Sequence, residues 1–148
     1  MAEITSHYIL FTVADTPYAL PSSQVAHVEM VEQITRVPNA APFVDGVVFS
    51  RGQVVPAINM RARFGFERAD RDLRTRLLVV EAAGRSVGLL VDACREFLTI
   101  PPAAIQAPGE GLSGAGTRYV SGIATLNDRL IVILDLGTLL DSEPILAA

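Results

Sequence analysis

The sequence predicts an all-β chain made of two copies of one small unit. Three observations carry that expectation. Short runs of β-branched and aromatic residues recur between clusters of turn residues. Helical periodicity is confined to a few short pieces. The second half of the chain repeats the pattern of the first. With 148 residues, 50% of them hydrophobic, the chain suits one domain with a sizeable core and needs no metal or disulfide staple.

The elements follow in order. His7-Tyr8-Ile9-Leu10-Phe11-Thr12-Val13 is rich in β-formers, and Asp15-Thr16-Pro17 supplies a turn after it. Tyr18-Ala19-Leu20 runs to Pro21, and Val25-Ala26-His27-Val28-Glu29-Met30 alternates apolar and polar residues. Phe43 to Phe49 is a strand, Ser50-Arg51-Gly52-Gln53 a hairpin turn, and Val54 to Ile58 its partner. Leu77 to Val80 and Ser86 to Val91 are joined through Ala83-Gly84-Arg85. Tyr119 to Leu126, the Asn127-Asp128 turn and Leu130 to Leu136 complete the strands. The helical pieces are Met60 to Phe64, Pro102 to Ile105 and Leu136 to Leu140. Many short strands at regular spacing predict a barrel or a sandwich.

Self-comparison identifies the repeat. Residues 43–64 align with 119–140 without a gap, at an offset of 76 (119 − 43). Phe43 meets Tyr119, Gly46 meets Gly122, Ile58 meets Leu134, and Asn59 meets Asp135. Upstream, at an offset of 69 (77 − 8), Tyr8 to Phe11 falls on Leu77 to Val80 and Val25 falls on Cys94. The shared glycine, hairpin and short helix argue for a duplicated unit rather than chance alternation.

Composition narrows the function classes. A net charge of −4 and a pI of about 5.1 argue against nucleic acid as a partner. All 12 basic residues are arginine, which coding bias explains most simply, with arginine's enrichment at protein interfaces as the alternative. Cys94 is alone, which excludes an internal disulfide and fits a reducing compartment. The first residues lack a basic region, and no apolar run reaches the ~18 residues of a membrane span, so a cytoplasmic protein without membrane insertion is expected.

No motif supports catalysis. Gly109-Glu110-Gly111-Leu112-Ser113-Gly114 matches a phosphate-binding fingerprint in letters only. It follows a proline-rich stretch and precedes a strand, where the chemistry needs a strand before and a helix after. Ser113 is no nucleophile elbow, because Ala115 occupies the second glycine position. His7 and His27 lie in strand patterns without metal-ligand spacing, and Cys94 reads as a small core residue. Asp92, Asp128 and Asp135 have local structural readings: after an apolar run, in a hairpin turn, and ahead of a short helix. Arg51 stands out as a guanidinium at a turn between apolar strands. The repeat places Asn127 at the same turn position, so the hairpin itself does not require arginine.

The ordered motifs resemble the CheW family. Phe43-Val44-Asp45-Gly46-Val47, Arg51-Gly52-Gln53-Val54-Val55-Pro56 and Arg61-Ala62-Arg63-Phe64-Gly65 look like its central signature. Ile34-Thr35-Arg36-Val37-Pro38 fits the loop before it. Val87 to Asp92, Tyr119 to Ala124 and Arg129 to Asp135 fit the second half, so the likeness covers about residues 8–141. It implies a single domain, 1–148, of two five-stranded SH3-like β-barrel subdomains at approximately 14–76 and 77–148. Exchange of the first strand between them is left open.

The resemblance also implies a role: a non-catalytic adaptor coupling chemoreceptors to a CheA-type histidine kinase in a bacterial chemosensory array. The receptor's cytoplasmic hairpin tip would dock in an apolar groove between the barrels, and the kinase's regulatory domain or other CheW-like domains would bind in a ring. Val25, Gly46, Arg51 and Phe97 match positions associated with receptor coupling; kinase-contacting residues are not assigned, and no cofactor is implied. The sequence departs from the family at three places: His27 for a carboxylate, Ser50 for a leucine, and Asn59-Met60 for Asp-Leu. The alternatives are an array spacer, an adaptor of a non-flagellar pathway, and a small nucleotide-binding enzyme using the 109–116 glycine loop.

Overall fold

The computed structural model describes residues 6–82, 84–107 and 119–141. The glycine-rich run at 109–114, with Ser113, lies outside them. Strands dominate, with two short helices, as the sequence predicts. β1 (Ser6–Val13), β2 (Thr16–Pro21) and β3 (Val25–Met30) open the chain, with one 3₁₀ turn at Ser22–Gln24. β4 (Val44–Ser50), β5 (Gln53–Asn59) and α1 (Met60–Arg63) follow, then β6 (Arg76–Ala82), β7 (Arg85–Val91) and β8 (Ala93–Ile100). A 3₁₀ turn at Pro102–Ala104 leads to β9 (Ile105–Gln106), then β10 (Val120–Leu126), β11 (Arg129–Leu134) and α2 (Leu136–Asp141). Both helices start at a side-chain cap. Asn59 accepts from the Ala62 amide at 3.1 Å, and Asp135 accepts from the Gly137 amide at 3.1 Å. Among the described residues, no helix is long and apolar enough to cross a membrane.

Two sheets form, in the orders β8-β1-β2-β11-β10-β9 and β3-β6-β7-β5-β4. Replacing each strand by its repeat equivalent converts the second order into β8-β1-β2-β11-β10. The two copies have therefore exchanged hairpins. β1 and β2 complete the sheet of the C-terminal strands, while β6 and β7 complete the sheet of β3 to β5. Registers agree across the repeat. The parallel pairs Ala57↔Gly88 and Ile133↔Ala19 are equivalent, as are Val25↔Val80 and Phe11↔Cys94. Even the bulges in β3 and β8 match.

The exchange dictates the core. Ile9, Phe11 and Val13 of β1 and Leu78 and Val80 of β6 face a shared cluster between the sheets. Their alternate neighbours face away from it: Tyr8 and Leu10 enter the core of the six-stranded sheet, and Leu77 and Val79 that of the five-stranded one. Both strands are thus apolar on two faces, which explains their unbroken hydrophobic runs.

Two details fix how the halves meet. Arg63 and Leu139 are equivalent under the repeat, and they touch. The Arg63 guanidinium donates to the Leu139 carbonyl at 2.8 and 3.1 Å, and lies over the equivalent rings of Phe43 (4.2 Å) and Tyr119 (5.0 Å). Gly46 is buried at φ +148°, and a Cβ there would stand 2.2 Å from the Thr35 carbonyl oxygen. Its bare backbone lets Thr35 pair with Val47 at 2.8 and 2.9 Å.

Arg63→Ala removes two ring contacts and two charge-assisted hydrogen bonds, and should cost about 2 kcal/mol. Gly46→Ala should cost about 2–3 kcal/mol through backbone strain and displacement of Thr35. Urea denaturation followed by circular dichroism measures both, since the chain has no tryptophan. A change below about 0.5 kcal/mol in either variant would contradict its assignment.

Candidate docking surface

Two grooves share one wall, the edge strand β3. The first, of about 460 Å³, runs between β3 and β8, the equivalent edge strands of the two sheets. Val25 to Val28 line one side, Cys94, Glu96 and Phe97 the other, and Ile9 and Arg76 also contribute. The bulges of both strands fall in this groove, where they bend the edges and re-aim side chains. Phe97 is 72% exposed, an aromatic ring left in water with no structural duty.

The second groove, of about 590 Å³, lies between the two end strands of the five-stranded sheet. Glu29 and Met30 of β3 face Val47 to Ser50 of β4 and Arg51 of the turn after it, and Glu32, Gln33 and Thr35 also line it. Met30 is 60% and Phe49 73% exposed. The end strands meet through side chains: Ser50 donates to Glu29 Oε2 at 2.9 Å, and His27 Nε2 lies 3.0 Å from Ser50 Oγ. The sheet therefore curls until its ends touch. In the six-stranded sheet, the end strands β8 and β9 are joined by the Pro102–Ala104 turn.

Three of the four residues implicated by sequence line these grooves. Val25 and Phe97 stand on opposite walls of the first, and Arg51 lines the second. Gly46 lines neither; it seats Thr35, which lines the second groove. Arg51 holds φ +48° in a two-residue turn with Gly52 at +82°. Asn127 has φ +50° at the equivalent position. Side chains other than glycine, asparagine and aspartate rarely adopt this region, so arginine is retained there against local preference.

The other polar residues that the sequence singles out sit in local structural contacts. Arg61 makes a bidentate pair with Asp92 at 2.7–3.0 Å, and Asp92 also accepts from the Ala14 amide at 2.8 Å. That hydrogen-bonded carboxylate raises the Arg61 pKa and ties α1 to the β1–β2 turn. Asp128 occupies a turn at φ +65°, and Asp135 caps α2. His7 Nδ1 lies 3.2 Å from Thr99 Oγ1. Burial pushes the Cys94 thiol pKa up, so the neutral, unreactive form prevails at the groove wall. Among the described residues, no three histidine, cysteine or carboxylate side chains converge as metal ligands.

Sequence reasoning did not single out Met30, Phe49 or Glu29. Strand parity could have found Phe49: Gly46, Val48 and Ser50 alternate inward, which leaves Phe49 facing out.

Comparison with known proteins places this surface in context. Residues 7–144 match the CheW-like domain family. The chain is 28% identical over 140 residues to the chemotaxis protein CheW of Klebsiella aerogenes, covering 95% of this chain and 84% of that one. It is 30% identical over 135 residues to CheW of Bacillus subtilis, covering 91% and 86%. The crystal structure of the scaffolding protein TtCheW from Thermoanaerobacter tengcongensis superposes with a TM-score of 0.86 at 29% identity, covering 95% of each chain. With the family match spanning most of the sequence and the fold shared, this chain belongs to the CheW-like domain family.

Proposed function

We propose that the protein is a non-catalytic cytoplasmic scaffold that couples chemoreceptors to a CheA-type histidine kinase in a chemosensory array. The receptor's cytoplasmic hairpin tip lies across β3, filling the groove between Val25 and Phe97 and meeting Arg51 beyond it. The observation that carries the reading is the continuous surface along β3, with exposed apolar side chains on both sides and an arginine at one end. An apolar groove with a polar rim suits an amphipathic helix. The names of the relatives support the same role: they are chemotaxis proteins and, in one case, a scaffolding protein. The kinase's regulatory domain engages a surface that the grooves leave free.

Titration calorimetry with a soluble receptor hairpin fragment tests the site. Arg51→Glu should weaken binding by at least about tenfold with an unchanged circular-dichroism spectrum. Unaltered affinity would remove Arg51 from the surface. Arg51→Asn separates stability from binding, because asparagine tolerates the left-handed turn. It should gain about 0.5–1 kcal/mol in stability while losing affinity.

Cys94 supplies a footprint. Its raised thiol pKa means slow alkylation by iodoacetamide near neutral pH, faster in urea, and slower still when the receptor fragment fills the groove. The sign for stability follows. The fold favours the neutral thiol, so this contribution is complete below the ordinary thiol range and is lost as pH rises through the raised value. Labelling indifferent to bound receptor would place the receptor elsewhere.

A further inference from the structure

The seam between β3 and β4 differs in kind from its counterpart. Under the repeat, His27, Glu29 and Ser50 correspond to Glu96, Leu98 and Leu126. Leu98 and Leu126 pack against the core of the six-stranded sheet, so that sheet is apolar at both leucine positions. In the five-stranded sheet the same place holds a closed polar cluster. Ser50 is only 4% exposed, and its hydroxyl donates to Glu29 Oε2 at 2.9 Å. His27 Nε2 lies 3.0 Å from Ser50 Oγ and 2.9 Å from Glu29 Oε2. A serine hydroxyl has one proton. With that proton given to Glu29, the imidazole Nε2 must carry a hydrogen and act as donor.

His27 and Ser50 lie twenty-three residues apart in sequence and meet here. Ser50 is followed directly by Arg51, in a turn too short to absorb movement. Hydrogen bonds are directional where leucine packing is not, so a part-buried hydrogen-bonded cluster restricts how the two strands can meet.

We infer that Ser50, clasped by His27 and Glu29, is a positioning residue for Arg51. The clasp holds the β4–β5 hairpin against β3, so that the two grooves form one docking surface with the guanidinium at a fixed place along it. This rests on the receptor-docking reading and deepens it: the clasp sets where a receptor side chain must lie to meet Arg51.

The test uses the full chain and two measurements. Amide ¹⁵N relaxation of the free protein should show Arg51 and Gly52 more mobile in Ser50→Ala than in wild type, with Ser50→Thr restoring order. Calorimetry with the receptor hairpin fragment should show Ser50→Ala binding about five- to tenfold more weakly. In an Arg51→Ala background the same change should have almost no further effect, because Ser50 acts through Arg51. Ser50→Cys, which keeps the side-chain volume and loses the strong hydrogen bond, should behave likewise if Ser50→Ala folds poorly. Unchanged relaxation at Arg51 and Gly52, or equal losses of affinity in both backgrounds, overturns the clasp. If Arg51→Ala leaves affinity intact, the docking reading and the clasp's role in it both fall; the relaxation data then still show whether the clasp orders the hairpin.

Discussion

The structure depends on one constraint: two strands, β1 and β6, are buried on both faces. A strand with one apolar face can belong to a single small sheet. A strand apolar on both must lie between two cores, and the exchanged hairpins put it there. Phe11 in the shared cluster and Leu10 in the outer one are neighbours in sequence and both fully buried. The exchange makes the two sheets inseparable without losing the central layer, whose side chains each contribute about 1.5–3 kcal/mol by burial. It also determines where edges remain. β3 and β8 sit beside the exchanged strands with their outer sides uncovered, and the first groove lies between them. A composition half hydrophobic is what three apolar layers and an apolar docking surface require.

Around that frame, local rules give way at several places, some of them away from the grooves: Ala14 holds a left-handed φ, and Leu73 and Leu130 are exposed. The helices are capped by Asn59 and Asp135, and Asp92 is paired with Arg61. Arg51 occupies a left-handed turn position, Phe49 and Phe97 present aromatic rings to water, and a polar cluster replaces leucines in a seam. Departures of this kind gather where a protein trades stability for recognition. Gly46 shows the complementary case. It was associated with coupling by resemblance, and its place in the structure is behind the surface, giving Thr35 room. A glycine acts on a site by what its missing side chain permits.

Much of this was legible in the sequence, for identifiable reasons. Period-two alternation marks the hairpins, and the offsets of 76 and 69 residues reproduce even the bulges, because equivalent strands face equivalent neighbours. Motif and resemblance single out Arg51, Val25 and Phe97, and all three line the grooves. The strand exchange could not be read off, since equivalent hairpins satisfy either partner equally well and the β1–β8 pairing spans most of the chain. β8 does not stand out as a run in the sequence because Arg95 and Glu96 interrupt its apolar pattern, and β9 is only two residues long. The clasp joins residues on strands at opposite ends of a sheet, a contact created by curvature alone.

The size of the surface bears on how such a scaffold works. Burying Val25, Phe97, Phe49 and Met30 completely would favour a complex by roughly 6–12 kcal/mol in all. Loss of translational and rotational freedom opposes association by about 4–15 kcal/mol. Apolar contact at one copy therefore gives weak binding, and two features of the proposed role offset the deficit. An array holds many such contacts together, and linked sites can exceed single-site affinity by about 10²–10⁴-fold. Within one site, a long arginine side chain loses about 0.5–1.5 kcal/mol of rotamer freedom when it is immobilised. A turn already fixed by Ser50, His27 and Glu29 leaves only the side chain to be ordered, so a hydrogen-bonded cluster in the groove wall acts on affinity through Arg51.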